Sequence, residues 1–238
     1  MSQADFIEVY ADALAPETCA ALIDRFEASG QDVPGRIGAS VDPSIKFSRD
    51  IWLGGSAIWR DAEEALNRAM FRGLLAYLRK YPFLLLAPLS FECNDPETGK
   101  RRGMQHEDMA RLDDQNLANL ILSSMRPGQI NLQRYTADIG GYPGWHCEQS
   151  PGDPQAEALH RTLLWTVYLN EGFGAGETEF FHQQRKIVPR TGSLLIAPTA
   201  FTHTHRGNRP TGQDKYIATS WVLFQRAETL LASQPAQA

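Results

Sequence analysis

Lys215-Tyr-Ile-Ala-Thr-Ser-Trp-Val-Leu-Phe224 is a run of β-branched and aromatic residues that reads as one long strand. Three segments upstream share its character: Ile130-Asn-Leu-Gln-Arg-Tyr135, Arg161-Thr-Leu-Leu-Trp-Thr-Val-Tyr-Leu169 and Gly192-Ser-Leu-Leu-Ile-Ala197. Each is bounded by Gly, Pro or Asn, and no helical period intervenes. Strands spaced in this way predict an all-β barrel or sandwich for the second half of the chain.

Working outward, the first half changes period. Cys19, Leu22, Ile23 and Phe26 recur at helical spacing between Pro16 and Gly30. A longer helix is predicted from about Ser56 to Tyr81, with Leu66, Met70, Leu74 and Tyr77 on one stripe and Pro82 ending it. A third is predicted from Glu107 to Met125, closed by Pro127-Gly128. Residues 31–55, rich in Gly and Pro, read as loop with one short strand. The expected organisation is therefore a mainly helical part over 1–127, packed on a β-barrel over 128–230 as one composite domain, and a tail over 231–238.

The chain has 238 residues and a formal net charge of −5. That length buries a core without staples, and the acidic balance excludes a dedicated nucleic-acid binder, whose affinity comes from Lys and Arg on phosphates. The run Lys100-Arg101-Arg102 is too short to change this. Three widely spaced cysteines (Cys19, Cys93, Cys147) read as free thiols. The absence of a signal-like N-terminus and of any long apolar run leads to the expectation of a cytoplasmic protein without membrane partners.

Five of the six histidines lie in the β half: His146, His160, His182, His203 and His205. In Trp145-His146-Cys147-Glu148, the histidine and the carboxylate are two apart, so a strand sends both to one face. Thr202-His203-Thr204-His205 offers two more imidazoles on a shared face. Two imidazoles and one carboxylate converging on a cation form the facial set of non-haem Fe(II) enzymes. Strand parity leaves His203 and His205 both open as the distal ligand. Cys147, between the ligands, is expected in the core, and His106, His160 and His182 on loops or the surface. Lys215 starts an apolar strand, so its ammonium needs an anionic partner if buried.

These residues carry a resemblance. Arg134-Tyr135…Gly140-Gly141-Tyr142…His146-x-Glu148, then Arg161…Tyr168-Leu169-Asn170, Gly176-Glu-Thr-x-Phe180, Gly192-Ser-Leu-Leu-Ile-Ala-Pro198 and His203-Thr-His205-Arg206-Gly207…Pro210…Lys215 follow one another over Leu132–Phe224. In this order the stretch resembles the Fe(II)/2-oxoglutarate-dependent oxygenases, in their prolyl 4-hydroxylase-like branch, and Phe6–Gly30 looks like the opening strand and helix of that branch. The resemblance implies an α+β architecture: a double-stranded β-helix (a jelly-roll or cupin-like barrel) with N-terminal helices packed on one sheet.

It also implies Fe(II) held by His146, Glu148 and His205, with His203 as the alternative. The spacing from His205 to Lys215 and the small Gly207 favour His205. 2-Oxoglutarate would be gripped by Lys215, with Tyr135 and Tyr168 as further contacts and Arg161 and Arg206 as weaker ones. O2 would complete the reaction, hydroxylating a C–H bond of a peptide or small-molecule substrate with release of succinate and CO2. One departure is Glu148, where most relatives have Asp; the carboxylate is retained with one extra methylene. Two rival readings use the same residues: a cupin-type metalloenzyme enlisting Glu148 and three histidines without 2-oxoglutarate, and a non-catalytic β-barrel binding module.

Overall fold

The computed structural model describes residues 4–38, 40–152 and 155–232. Among them the long strand is central. Lys215–Phe224 pairs antiparallel with Arg161–Tyr168 on one side, and on the other with Asn131–Tyr135 and, towards its C-terminal end, Met125–Pro127. The sheet extends through Leu194–Pro198 to Glu8–Tyr10 at one edge, and through Arg49–Trp52 to Val33–Pro34 at the other. A second, four-stranded sheet runs in the order Arg185–Ile187, Thr178–Phe180, His205–Gly207, Tyr142–His146. The two sheets are those of a double-stranded β-helix, and all four segments predicted as strands form the larger one.

Alternation sorts the large sheet into two buried faces. Leu163, Trp165, Val167, Leu194, Ile196, Ala218 and Val222 point to one side, into a core shared with the helices. Leu164, Tyr168, Leu195, Ala197 and Ile217 point to the other, towards Phe180 of the small sheet. The helices cover the first face. Helix α1 is Pro16–Ser29, ended by Gly30 in the left-handed conformation, and α2 is Arg60–Lys80, burying the predicted stripe of Leu66, Met70, Leu74 and Tyr77. On α2, a Cβ at Gly73 would lie 2.5 Å from Leu194 Cδ2, so the helix approaches the sheet at the distance a glycine permits.

Three expectations need correction. The third helix is broken into His106–Arg111 and Asp114–Ser124, because Leu112 is extended and the Asp113 carboxylate accepts from Asn116 N, starting a new helix. The 31–55 segment holds two strands rather than one, and Arg49–Trp52 joins the main sheet. Residues 231 and 232 close a short helix, Ala227–Ala232, while the rest of the expected tail, 233–238, lies outside the described residues.

The first half thus supplies both helices and sheet strands, and we propose that 1–127 and the barrel fold as one unit. A chain starting at residue 128 would lose Arg49–Trp52 and Glu8–Tyr10 and expose the apolar face under α1 and α2, where each large side chain contributes about 1.5–3 kcal/mol. Its thermal melt, followed by circular dichroism, should lack a cooperative transition that the full chain shows.

Candidate metal centre and cosubstrate cavity

Tyr142–His146 and His205–Gly207 are neighbours in the small sheet, with His146 and His205 directly paired and their rings 4.5 Å apart. Glu148 follows the end of its strand, its backbone N–H tied to Thr199 O at 3.0 Å. One ligand atom from each of His146, Glu148 and His205 lies within 4.8 Å of the others, and no other such group of three is present among the described residues. Glu148 Oε1 is 3.3 Å from His205 Nε2 and 3.7 Å from His146 Nε2.

The hydrogen bonds around these rings decide what the group can hold. His146 Nδ1 is 2.8 Å from Gly144 O, and His205 Nδ1 is 2.9 Å from His203 O. A carbonyl only accepts, so Nδ1 carries the proton in each ring and the neutral imidazole presents an Nε2 lone pair to the centre. The other oxygen of the carboxylate, Oε2, accepts from Trp221 Nε1 at 2.9 Å. Three acceptor atoms converge with no donor of their own, an arrangement a cation completes. The donor set, two nitrogens and one oxygen, fits Fe(II).

His203 is placed elsewhere. Phe201–His203 is a 3-10 turn, so His203 and His205 do not share a strand face, and the parity reading fails. His203 Nε2 donates to Asp5 O at 2.9 Å and its Nδ1 meets Thr202 Oγ1 at 3.1 Å. Cys147 is not in the core either: it is half-buried, lines the cavity and reaches Gln149 O through Sγ. His106, His160 and His182 stand apart from the cluster.

The centre opens on a cavity of about 970 Å³ between the sheets. Alternate residues of the long strand, Lys215, Ile217, Thr219 and Trp221, form one wall, and Asn131, Gln133 and Tyr135 of the neighbouring strand extend it. Lys215 is 3 % exposed, and Gly176 O, at 2.7 Å from Nζ, is its one hydrogen-bond acceptor among the described residues. The rings of Tyr135 and Tyr168 lie 5.6 and 5.8 Å from that ammonium. The Tyr135 hydroxyl donates to Gln133 Oε1; that of Tyr168 shares a hydrogen bond with Thr178.

Arg161 stacks on Trp221 at 3.6 Å and donates to Glu148 O at 2.9 Å, so it braces the carboxylate's backbone. Arg206 instead binds Glu179 and covers Trp145. Sequence reading missed Trp221 as a partner of Glu148, and missed the cluster of Lys46, Ser48, Asp50, Asn131 and Gln133, of which Lys46, Asn131 and Gln133 line the cavity. The signal was present: Lys46-x-Ser48-x-Asp50 and Asn131-x-Gln133-x-Tyr135 put polar groups at strand period.

Residues 130–223 match the sequence model of the 2OG-Fe(II) oxygenase superfamily. Through these residues, which include His146, Glu148, His205 and Lys215, the chain matches that superfamily. Its cofactors are accordingly Fe(II), 2-oxoglutarate and O2. No curated protein sequence matches the chain. Three solved structures share its fold. A prolyl hydroxylase from Trichoplax adhaerens, in complex with a hypoxia inducible factor oxygen degradation domain peptide, aligns with TM-score 0.62 at 14% identity, covering 97% of this chain and 88% of that one. A Pseudomonas putida prolyl-4-hydroxylase gives 0.56 at 17%, covering 93% and 94%. The viral collagen prolyl hydroxylase of Paramecium Bursaria Chlorella virus-1, in a 2OG complex, gives 0.55 at 16%, covering 91% and 95%.

The electrostatics of the centre give a pH dependence. Burial, then the neighbouring His205 ring, pushes the His146 imidazole down to about 4, with Glu148 opposing. Burial raises the Glu148 carboxyl, but the proximity of His205, His146 and Arg161 brings it down to about 2. Between pH 6.5 and about 4, the unfolded chain takes up a proton at position 146 that the folded chain refuses. The metal-free protein therefore loses stability as pH falls through that window. Urea unfolding at pH 7 and pH 5 should show a smaller loss in His146→Gln than in the wild type; equal losses would contradict this.

Proposed function

We propose that this oxygenase is a hydroxylase that inserts oxygen into an unactivated C–H bond of a peptide or small molecule, releasing succinate and CO2. His146, Glu148 and His205 hold the iron, and Lys215 receives the distal carboxylate of 2-oxoglutarate. The observation that carries this reading is the pairing, in one cavity, of a three-acceptor cluster with a buried ammonium that has one neutral acceptor. When bound, iron and the keto acid together activate O2 for attack on a C–H bond.

The chain's own residues supply position and exclusion of water. Gly144 O and His203 O fix the two imidazole tautomers, and the Trp221 indole holds Glu148 Oε2, leaving Oε1 to face the Nε2 atoms of His146 and His205, the set that would hold the iron. The extra methylene of Glu148 is accommodated because Trp221 and Arg161 restrain the head and backbone of the side chain. Tyr135 faces the cosubstrate end; the Tyr168 ring braces Lys215 while its hydroxyl is occupied by Thr178. The cupin-type alternative would enlist His203, whose two nitrogens are engaged by Asp5 and Thr202. The prolyl hydroxylase neighbours support the hydroxylase reading at the level of fold.

His146→Ala and Glu148→Ala should each lower succinate formation from 2-oxoglutarate by at least about 100-fold, since loss of a ligand empties the centre. Undiminished succinate from both would overturn the assignment. Burial depresses the Lys215 ammonium to about 8, with Glu177 opposing. The group is charged below that value and neutral above it, so the Kd for 2-oxoglutarate should rise as pH climbs from 7 to 9. Lys215→Met should bind weakly throughout and lose the pH dependence, as read by calorimetry on the metal-loaded protein.

A further inference from the structure

The end of the cavity away from Lys215 contains a second set of polar groups that neither iron nor cosubstrate uses. Asp50, 1 % exposed, accepts at Oδ2 from Lys46 Nζ (2.9 Å), Asn131 Nδ2 (2.8 Å) and Gln133 Nε2 (3.3 Å), and at Oδ1 from Ser48 Oγ (2.7 Å). Its acceptors are filled. Lys46, buried to 6 % exposure, has three N–H donors, yet Asp50 is its one partner among the described residues. Beside it, Asn131 spends its amide N–H on Asp50, while its Oδ1 is buried with no partner. Buried polar groups are nearly always paired, so an orphan acceptor next to a lysine with spare donors, both in a cavity wall, points to a ligand.

Arg36 adds a second cation at the same end. It is exposed, lines the cavity and has no hydrogen-bond or ion-pair partner among the described residues. The preceding residue, Gly35, lies directly over the Asp50 cluster: a Cβ there would sit 2.0 Å from Ser48 Oγ and 3.1 Å from Asp50 Oδ1. Of the acidic side chains, Glu148 alone lines the cavity among the described residues, against Arg36, Lys46, Arg161 and Lys215. Lys46 lines the same cavity as His146 and Glu148.

The two ends are offset along the strand: Lys215 pairs with Tyr135 and Thr219 with Asn131, so the backbones of Lys215 and Asn131 lie four residues apart in the strand direction, roughly 13 Å. We propose that Lys46 and Arg36 form a second carboxylate subsite, and that the oxygenase substrate is a small carboxylic acid with an N–H or O–H donor beside its carboxylate, directed at Asn131 Oδ1. This rests on the hydroxylase reading for the fate of the bound acid, though not for its binding.

The test compares acids with their amides on the iron-loaded protein under argon, with saturating 2-oxoglutarate. Probes are L-leucine against L-leucinamide, L-proline against L-prolinamide, 2-hydroxyhexanoate against its amide, and a proline-containing peptide blocked at both ends. Binding is followed through the fluorescence of Trp52 and Trp221, which line the cavity. At least one acid should bind at least about tenfold tighter than its amide, a difference of about 1.4 kcal/mol. Arg36→Gln should remove most of that preference. So should Lys46→Met combined with Asp50→Asn, which avoids leaving a lone buried carboxylate. Arg68→Gln, on the exposed side of α2, should change nothing. Equal binding of acids and amides, no binding of any acid, or tighter binding of the blocked peptide would overturn the proposal. Admitting air and measuring succinate separates the two readings: an acid preference without succinate supports the subsite and contradicts the hydroxylase.

Discussion

The fold depends on one strand being buried on both faces. Along Lys215–Phe224, Tyr216, Ala218 and Val222 pack under the helices, while Lys215, Ile217, Thr219 and Trp221 face the cavity. A slip of one residue would drive Lys215 into the helical core and remove Trp221 from Glu148. The pairing is held on both sides, by Arg161–Tyr168 and Asn131–Tyr135, so the register that builds the core is the same register that places the buried Lys215 in the cavity and Trp221 against Glu148. Stability and site are two readings of a single alternation.

Much of this was legible in the sequence because it is local. The strand segments, the stripe of α2 and the stop at Gly30 follow from period and from residues with narrow conformational choices. His146 and Glu148 were legible as a pair two residues apart. The relation of His203 to His205 was not, because it assumed an extended chain where Phe201–His203 turns, and a 3-10 turn reverses the parity rule. The break at Asp113 was also missed: a capping carboxylate inside a polar run competes with helix continuation, and the apolar period alone does not register it.

The Lys46–Asp50 cluster was illegible for a different reason. Its members come from two strands, Arg49–Trp52 and Asn131–Tyr135, and from the loop before the first of them, so their convergence exists only after the sheet has formed. Read singly, each is an unremarkable polar residue. Together they form a buried ionic group that is weak evidence for stability, since desolvation offsets much of the attraction. Its position on the cavity wall, with an unpaired amide oxygen beside it, gives it meaning in binding.

Both ends of the cavity are thus basic, with a cluster of three acceptors facing the space between the sheets. The central claim is that this cluster binds iron in such a way that 2-oxoglutarate chelates it. Visible absorption of the purified protein, titrated under argon first with Fe(II) and then with 2-oxoglutarate, measures this directly. The account predicts a weak charge-transfer band that appears only when both are present and is lost in Glu148→Ala. Iron demonstrably bound to the wild-type protein, with no band at saturating 2-oxoglutarate, would contradict it.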